Sequence, residues 1–160
     1  MNVGTRPRPP EVAPTSADAR TRPIILATLG VPFDERASVY AVDTAVQTGA
    51  SLIVINSTPL QPLRMSLVFG YDALEEFTPE VSASTRRPAE LAHSLGARVE
   101  RIRLRSPRPL AALLELAAER GCGLLVFGPD RAALRERSFL RAMRILREQA
   151  ACPLWIVHAM

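Results

Sequence analysis

The sequence predicts an α/β domain built on a doubly wound, five-stranded parallel sheet with helices on both faces, and three observations carry that reading. The runs Pro23 to Leu29 and Gly123 to Gly128 are each one strand long and continuously apolar, the form of strands covered on both faces. Between such runs lie segments whose apolar residues recur at helical spacing, so strand and helix alternate along the chain. The 160 residues, 48% hydrophobic and 22% charged, suffice for one core and are too few for two ordinary domains.

Residues 1–22 carry Pro7, Pro9, Pro10 and Pro14, with Pro23 at the border, and almost no large apolar side chain. Such a stretch cannot offset its ordering entropy and is expected to be a disordered tail ahead of a domain over residues 23–160. The first strand, IILATLG, ends at Gly30. After a short loop of Val31, Pro32 and Phe33, Asp34 is placed to cap a helix with Val39, Val42 and Val46 on its inner face and Gly49 as its stop. Ser51 to Ser57, SLIVINS, is again short, β-branched and apolar, which completes a βαβ unit.

Residues 58–97 are less regular, because Pro59, Pro62, Pro79 and Pro88 interrupt any long period, and a long mobile connection is expected there. The aromatic segment Leu67 to Phe77 either packs on the sheet as a satellite cluster or serves as a lid or partner contact. Thr78, Pro79 and Glu80 form a helix start and Leu91, Leu95 and Gly96 a helix end, with Pro88 kinking the helix or opening a second one. Arg98 to Arg105 alternates Val99, Ile102 and Leu104 imperfectly with charges, which suits a strand near a sheet edge. Ser106 and Pro107 are read as the cap of a helix with Leu110, Leu113, Leu114 and Ala117 on one face, ending at Gly121. GLLVFG is the next buried strand; a polar loop follows from Pro129 to Arg137, then a helix from Ser138 with Phe139, Met143, Leu146 and Ala150 on one face. Pro153 opens a last strand, PLWIVHA.

Several function classes are excluded by composition. No uninterrupted apolar run approaches the roughly 18 residues of a membrane span, and the first 22 residues hold no apolar signal core, so a cytoplasmic protein without membrane association is expected. Cys122 and Cys152 fit no metal-ligand spacing and allow at most one disulfide; they read as small buried hydrophobes and no metal is expected. The net charge is +4, and all 20 basic residues are arginine, which points to compositional bias rather than to a nucleic-acid surface. His93 and His158 have no Ser or Cys beside them in a nucleophile motif, and no enzymatic activity is expected. A phosphoacceptor receiver domain would need an acidic pair after the first strand and a lysine; Leu29 stands there and the chain has no lysine.

In a doubly wound sheet, ligands bind beyond the carboxyl ends of the strands, where the order reverses, here the loop after Leu29 and Gly30 and the loop after Gly128. Either glycine simply ends its strand or lets the backbone approach a ligand, with a helix N-terminus beyond to face a phosphate. Arg137, Arg141 and Arg144 share a helix face that an acidic partner would fit, and Glu148 continues and dilutes it.

The segment LLVFGPDRAALRERSFLRAMRILREQAACPLWIV resembles the closing β-α-β of the universal stress protein family. The IILATLG opening and the Ser-Pro-x-Pro run at Ser106 to Pro109, ahead of LLVFG, extend the likeness over most of residues 23–160. The resemblance implies strand order 3-2-1-4-5 and a homodimer through the last strand, whose apolar edge Leu154 to Val157 needs covering. In one branch it also implies ATP held by G-x-x-G, nine residues, then Gly and Ser or Thr. Gly128 matches the first glycine, but Arg131 stands at the second and Arg141 and Ala142 at the closing pair; a shorter loop makes Ser138 the nearest hydroxyl. Leu29 replaces the family's aspartate at the end of the first strand, while Gly30 matches. Each lost polar contact is worth about 1–3 kcal/mol, which weighs against high-affinity ATP binding of the family type.

The reading is therefore a non-enzymatic binding or signalling module of the stress response with a degenerate nucleotide motif, no expected cofactor, and a protein partner beyond its own second copy. The alternative is a protein that binds ATP or AMP through an atypical loop in which Arg131, Arg135 and Arg137 neutralise phosphate. The candidate ligand contacts are Thr28, Gly30, Gly128, Arg131 and Ser138.

Overall fold

A computed structural model describes residues 22–59 and 79–157. The tail before Arg22, the aromatic segment Leu67 to Phe77, Thr78 and His158 lie outside the described residues.

Five strands alternate with four helices: β1 (Ile24–Thr28), α1 (Glu35–Thr48), β2 (Leu52–Pro59), α2 (Pro79–Ser94), β3 (Val99–Ser106), α3 (Pro109–Glu119), β4 (Leu124–Phe127), α4 (Glu136–Gln149) and β5 (Leu154–Ile156). All pairings are parallel and the strands lie in the order β3-β2-β1-β4-β5, the implied 3-2-1-4-5. The helices cover both faces, α1 packing with α2 and α3 with α4. β1 is central and buried along its whole length, as its unbroken apolar run requires. β3 is an edge strand in which Val99, Ile102 and Leu104 are half-buried while Arg101, Arg103 and Arg105 are exposed. β5 forms the other edge and is only three residues long.

The helix starts and inner faces depart from the expected ones in instructive ways. Asp34 caps α1 by accepting from the Arg36 and Ala37 N–H groups, and Gly49 ends it at φ 70°. The buried face of α1, however, is Ala37, Ala41, Val42 and Ala45, whereas Val39 and Val46 are 45% and 38% exposed. Small side chains win that face because the helix lies very close to the sheet: a Cβ on Gly128 would fall on the Cβ of Ala37. α2 runs unbroken through Pro88, so no second helix opens there, and it turns Ala89 and Ala92 inward while Leu91 and Leu95 are exposed.

The cap of α3 is Arg108, not Ser106 or Pro107, and Pro109 takes the first turn, where its missing N–H costs nothing. Ser106 shapes the turn before it, its Oγ accepting from the Arg108 N–H at 3.1 Å. α4 begins at Glu136, two residues ahead of Ser138, and buries Phe139, Ala142 and Leu146; Met143 is half-buried and Ala150 is the C-cap. Among the described residues no helix is long and apolar enough to cross a membrane.

Candidate functional site

The loops that follow β1 and β4 meet at the carboxyl end of the sheet, and backbone bonds join them. Phe33 forms an antiparallel bridge with Pro129, the Asp34 N–H donates to the Gly128 carbonyl at 2.9 Å, and the Asp130 N–H donates to the Pro32 carbonyl at 2.8 Å. The two loops expected to form the site are thus adjacent, and each is largely committed to the other.

Four of the five candidate residues are engaged within the protein. Thr28 is fully buried and its hydroxyl donates to the Val31 carbonyl at 3.0 Å, tightening the turn out of β1. Gly30 adopts φ +70°, and its N–H donates to Asn56 Oδ1 at 2.7 Å. That left-handed backbone is what the position asks of a glycine. Gly128 has no positive φ; its missing Cβ makes room for Ala37. Arg131 lays its guanidinium over the Phe139 ring, 3.6 Å from the centroid, and Phe139 in turn stacks on Phe127 with centroids 6.2 Å apart.

The amides of the β4 loop are spent in the same way. The Gly128 N–H donates to the Ala27 carbonyl, Asp130 to Pro32, Ala132 to the Asp130 carboxylate, and Ala133 and Leu134 to the Asp130 carbonyl, all between 2.8 and 3.1 Å. Pro129 has no N–H to offer. A phosphate cradle needs free amides converging on an anion, and here one amide is taken by the Asp130 carboxylate and two by its backbone carbonyl.

Ser138, the fifth candidate, is exposed in the first turn of α4 and does line an opening. This cavity, about 560 Å³, lies between α3 and α4 beyond the ends of β1 and β2. Leu29, Leu110, Leu134 and Ile145 give it apolar walls; Arg108 and Arg141 supply the cationic groups. Ser57, fully buried, also borders it and donates its hydroxyl to the Pro109 carbonyl at 2.8 Å, fixing the start of α3 over the end of β2.

Sequence reasoning missed the contribution of Arg108 and Leu110, because the β3–α3 connection reads as a plain helix start. The strand order held the signal: it sets α3 beside α4 on one face, so their N-terminal turns converge on the same end of the sheet. Asn56 was missed as well. It is 2% exposed and holds Gly30 through Oδ1, while its Nδ2 has no hydrogen-bond partner among the described residues.

With this geometry in place, the model of the universal stress protein family matches residues 20–158. The chain belongs to the universal stress protein family. Solved structures agree on the fold. The hypothetical protein MJ0577 superposes with a TM-score of 0.67 at 13% identity, over 88% of this chain and 98% of that one. A universal stress protein in complex with cAMP gives a TM-score of 0.56 at 22% identity, over 88% and 98%. One from Archaeoglobus fulgidus in complex with dAMP gives 0.57 at 17% identity, over 85% and 97%. A comparison with curated sequences gives no match.

Proposed function

We propose that this universal stress protein is a non-enzymatic binding module of the cytoplasmic stress response, whose family nucleotide motif is degenerate. The observation that carries the reading is the committed β4 loop: five of its amides bond within the protein, and Arg131 is stacked on Phe139 at the position of the motif's second glycine. A triphosphate would have to displace those bonds and meet the Asp130 carboxylate, and it would find Leu29 where the resemblance implies an aspartate. Analysis of small molecules released from heat-denatured protein tests this. The expected result is a protein without stoichiometric nucleotide; ATP or AMP released at one per chain would overturn the reading.

A second reading is favoured by one feature, the cavity between α3 and α4. Arg108, Arg141 and Ser138 stand around apolar walls there, a combination suited to a nucleotide of lower charge such as AMP. In that case Arg141→Ala weakens binding while Arg131→Ala does not, a pattern that separates cavity binding from use of the β4 loop.

The module acts as a homodimer through β5. Among the described residues no strand pairs with the outer edge of this three-residue strand, and Leu154 and Trp155 are only half-buried. Tyr40 of α1 stacks on Trp155 at 4.8 Å, so the strand is braced from within the chain before any partner arrives. Light scattering at micromolar concentration is expected to give twice the chain mass; a monomer's mass counts against the dimer.

A further inference from the structure

Cys122 and Cys152 lie at the amino-terminal end of the sheet, opposite the crevice, each two residues ahead of its strand. Leu125 of β4 is in register with Leu154 of β5, which leaves the two cysteines one residue out of step on neighbouring strands. With strands about 4.8 Å apart and about 3.3 Å per residue, the Cα atoms are roughly 6 Å apart, within the span that a disulfide bridges. Cys122 and Cys152 both border one cavity of about 230 Å³ beneath Leu114 and Ala117 of α3, near enough for Cys152 to raise the Cys122 thiol.

The two thiols differ in access. Cys122 is 6% exposed, whereas Cys152 is half-buried and also borders a second opening of about 230 Å³ beside Leu146 and Arg147. The two cysteines border one cavity at the seam between β4 and an edge strand.

We propose that Cys122 and Cys152 form a reversible intramolecular disulfide, a two-electron redox site that a small peroxide closes and a dithiol reductant opens. The Cys152 sulfur, as thiolate, attacks a peroxide oxygen; the O–O bond breaks, hydroxide leaves and takes a proton to become water, and a sulfenic acid remains. The Cys122 sulfur then attacks that sulfur, the S–S bond forms, and the S–O bond breaks with a second water carrying away the Cys122 proton. In sum, two thiols and one hydrogen peroxide give one disulfide and two waters. Burial, with Cys152 beside it, pushes the Cys122 thiol up to about 12, which keeps it protonated and leaves the first attack to Cys152; in the second step the Cys122 proton leaves with the departing hydroxide. Closure ties the start of β5 to the start of β4, three residues from Trp155, the chain's one tryptophan.

The test uses the full reduced chain, treated with excess hydrogen peroxide, quenched with an alkylating agent in denaturant, and measured by intact mass and peptide mapping. The expected product is a single chain lighter by two hydrogens, with neither cysteine alkylated, a Cys122–Cys152 cross-linked peptide, and full reversal by dithiothreitol. Trp155 emission is expected to change in step with closure. Cys122→Ala is expected to stop at a sulfenic acid on Cys152 that dimedone traps. If that variant fails to fold, the wild-type peptide map still decides. Four results overturn the proposal: both cysteines still alkylated, Cys122 alone still alkylated, over-oxidation of Cys152 to sulfinic acid with no cross-link, or a disulfide joining two chains.

Discussion

Substituting Gly128 by alanine tests whether this glycine serves packing or a ligand. Its backbone is not in the left-handed region, so an alanine meets no conformational penalty of its own. The added methyl instead lands on the Cβ of Ala37, and the backbone has little freedom to yield. The Gly128 N–H is held by the Ala27 carbonyl and its carbonyl by the Asp34 N–H, at 3.0 and 2.9 Å. Overpacking of one methyl in such a fixed place costs about 1–3 kcal/mol, and the rigid surroundings put this site at the upper end. Ala37→Gly alone should cost about 1–2 kcal/mol, from helix propensity and one buried methyl. The double variant removes the clash, so its loss should fall well short of the sum of the two single losses, a coupling of about 1–2 kcal/mol. Urea unfolding of the parent, both single variants and the double variant measures this. A Gly128→Ala protein as stable as the parent, or strictly additive losses, would refute the packing argument and return the glycine to a ligand role.

Three further outcomes are expected. Asp34→Ala removes the acceptor for the Arg36 and Ala37 N–H groups and should lower stability by about 1 kcal/mol in urea unfolding, whereas Asp34→Asn should retain most of it. Arg131→Ala should cost about 0.5–1 kcal/mol through its lost stacking on Phe139 and leave any nucleotide affinity unchanged, which calorimetry on the same samples checks. Burial, then Cys152, raises the Cys122 thiol from its ordinary 9.0 to about 12 in the folded chain. The folded state thus keeps a proton that the unfolded chain loses first, so this contribution to stability is complete below about pH 9 and fades as pH climbs toward 12. The slope should be absent from Cys122→Ala in a pH series of unfolding midpoints.

Much of the fold was legible because its central strands are unbroken apolar runs. IILA and LLVF have no polar residue to orient toward solvent, so they belong in the middle of a covered parallel sheet, and they lie there side by side. The arginines of Arg98 to Arg105 marked β3 as an edge for the converse reason. The inner face of α1 was less legible. Val39 and Val46 outrank alanine in hydrophobicity, but contact distance decides the face, and only alanine fits where Gly128 approaches. For the candidate site, sequence pointed to the end of the sheet where the cavity opens and, among the candidate contacts, to one residue of its lining, Ser138; Leu29 and Arg141, weighed for other reasons, line it too. It placed weight on Thr28, Gly30, Gly128 and Arg131; Gly30 and Gly128 are held by Asn56 and by Ala27 and Asp34, far away in sequence, and such contacts leave no local pattern. Arg108 and Leu110 reach the cavity only through the packing of α3 against α4, which no short motif records.

A β4 loop whose amides are bonded within the protein is not expected to cradle a triphosphate. The most direct measurement is a calorimetric titration of nucleotide-free protein with ATP, carried to millimolar concentration. No heat beyond dilution is expected. One ATP bound per chain with micromolar affinity, lost in Arg131→Ala, would contradict it, because the guanidinium would then have left Phe139 and the loop amides their present partners to meet phosphate.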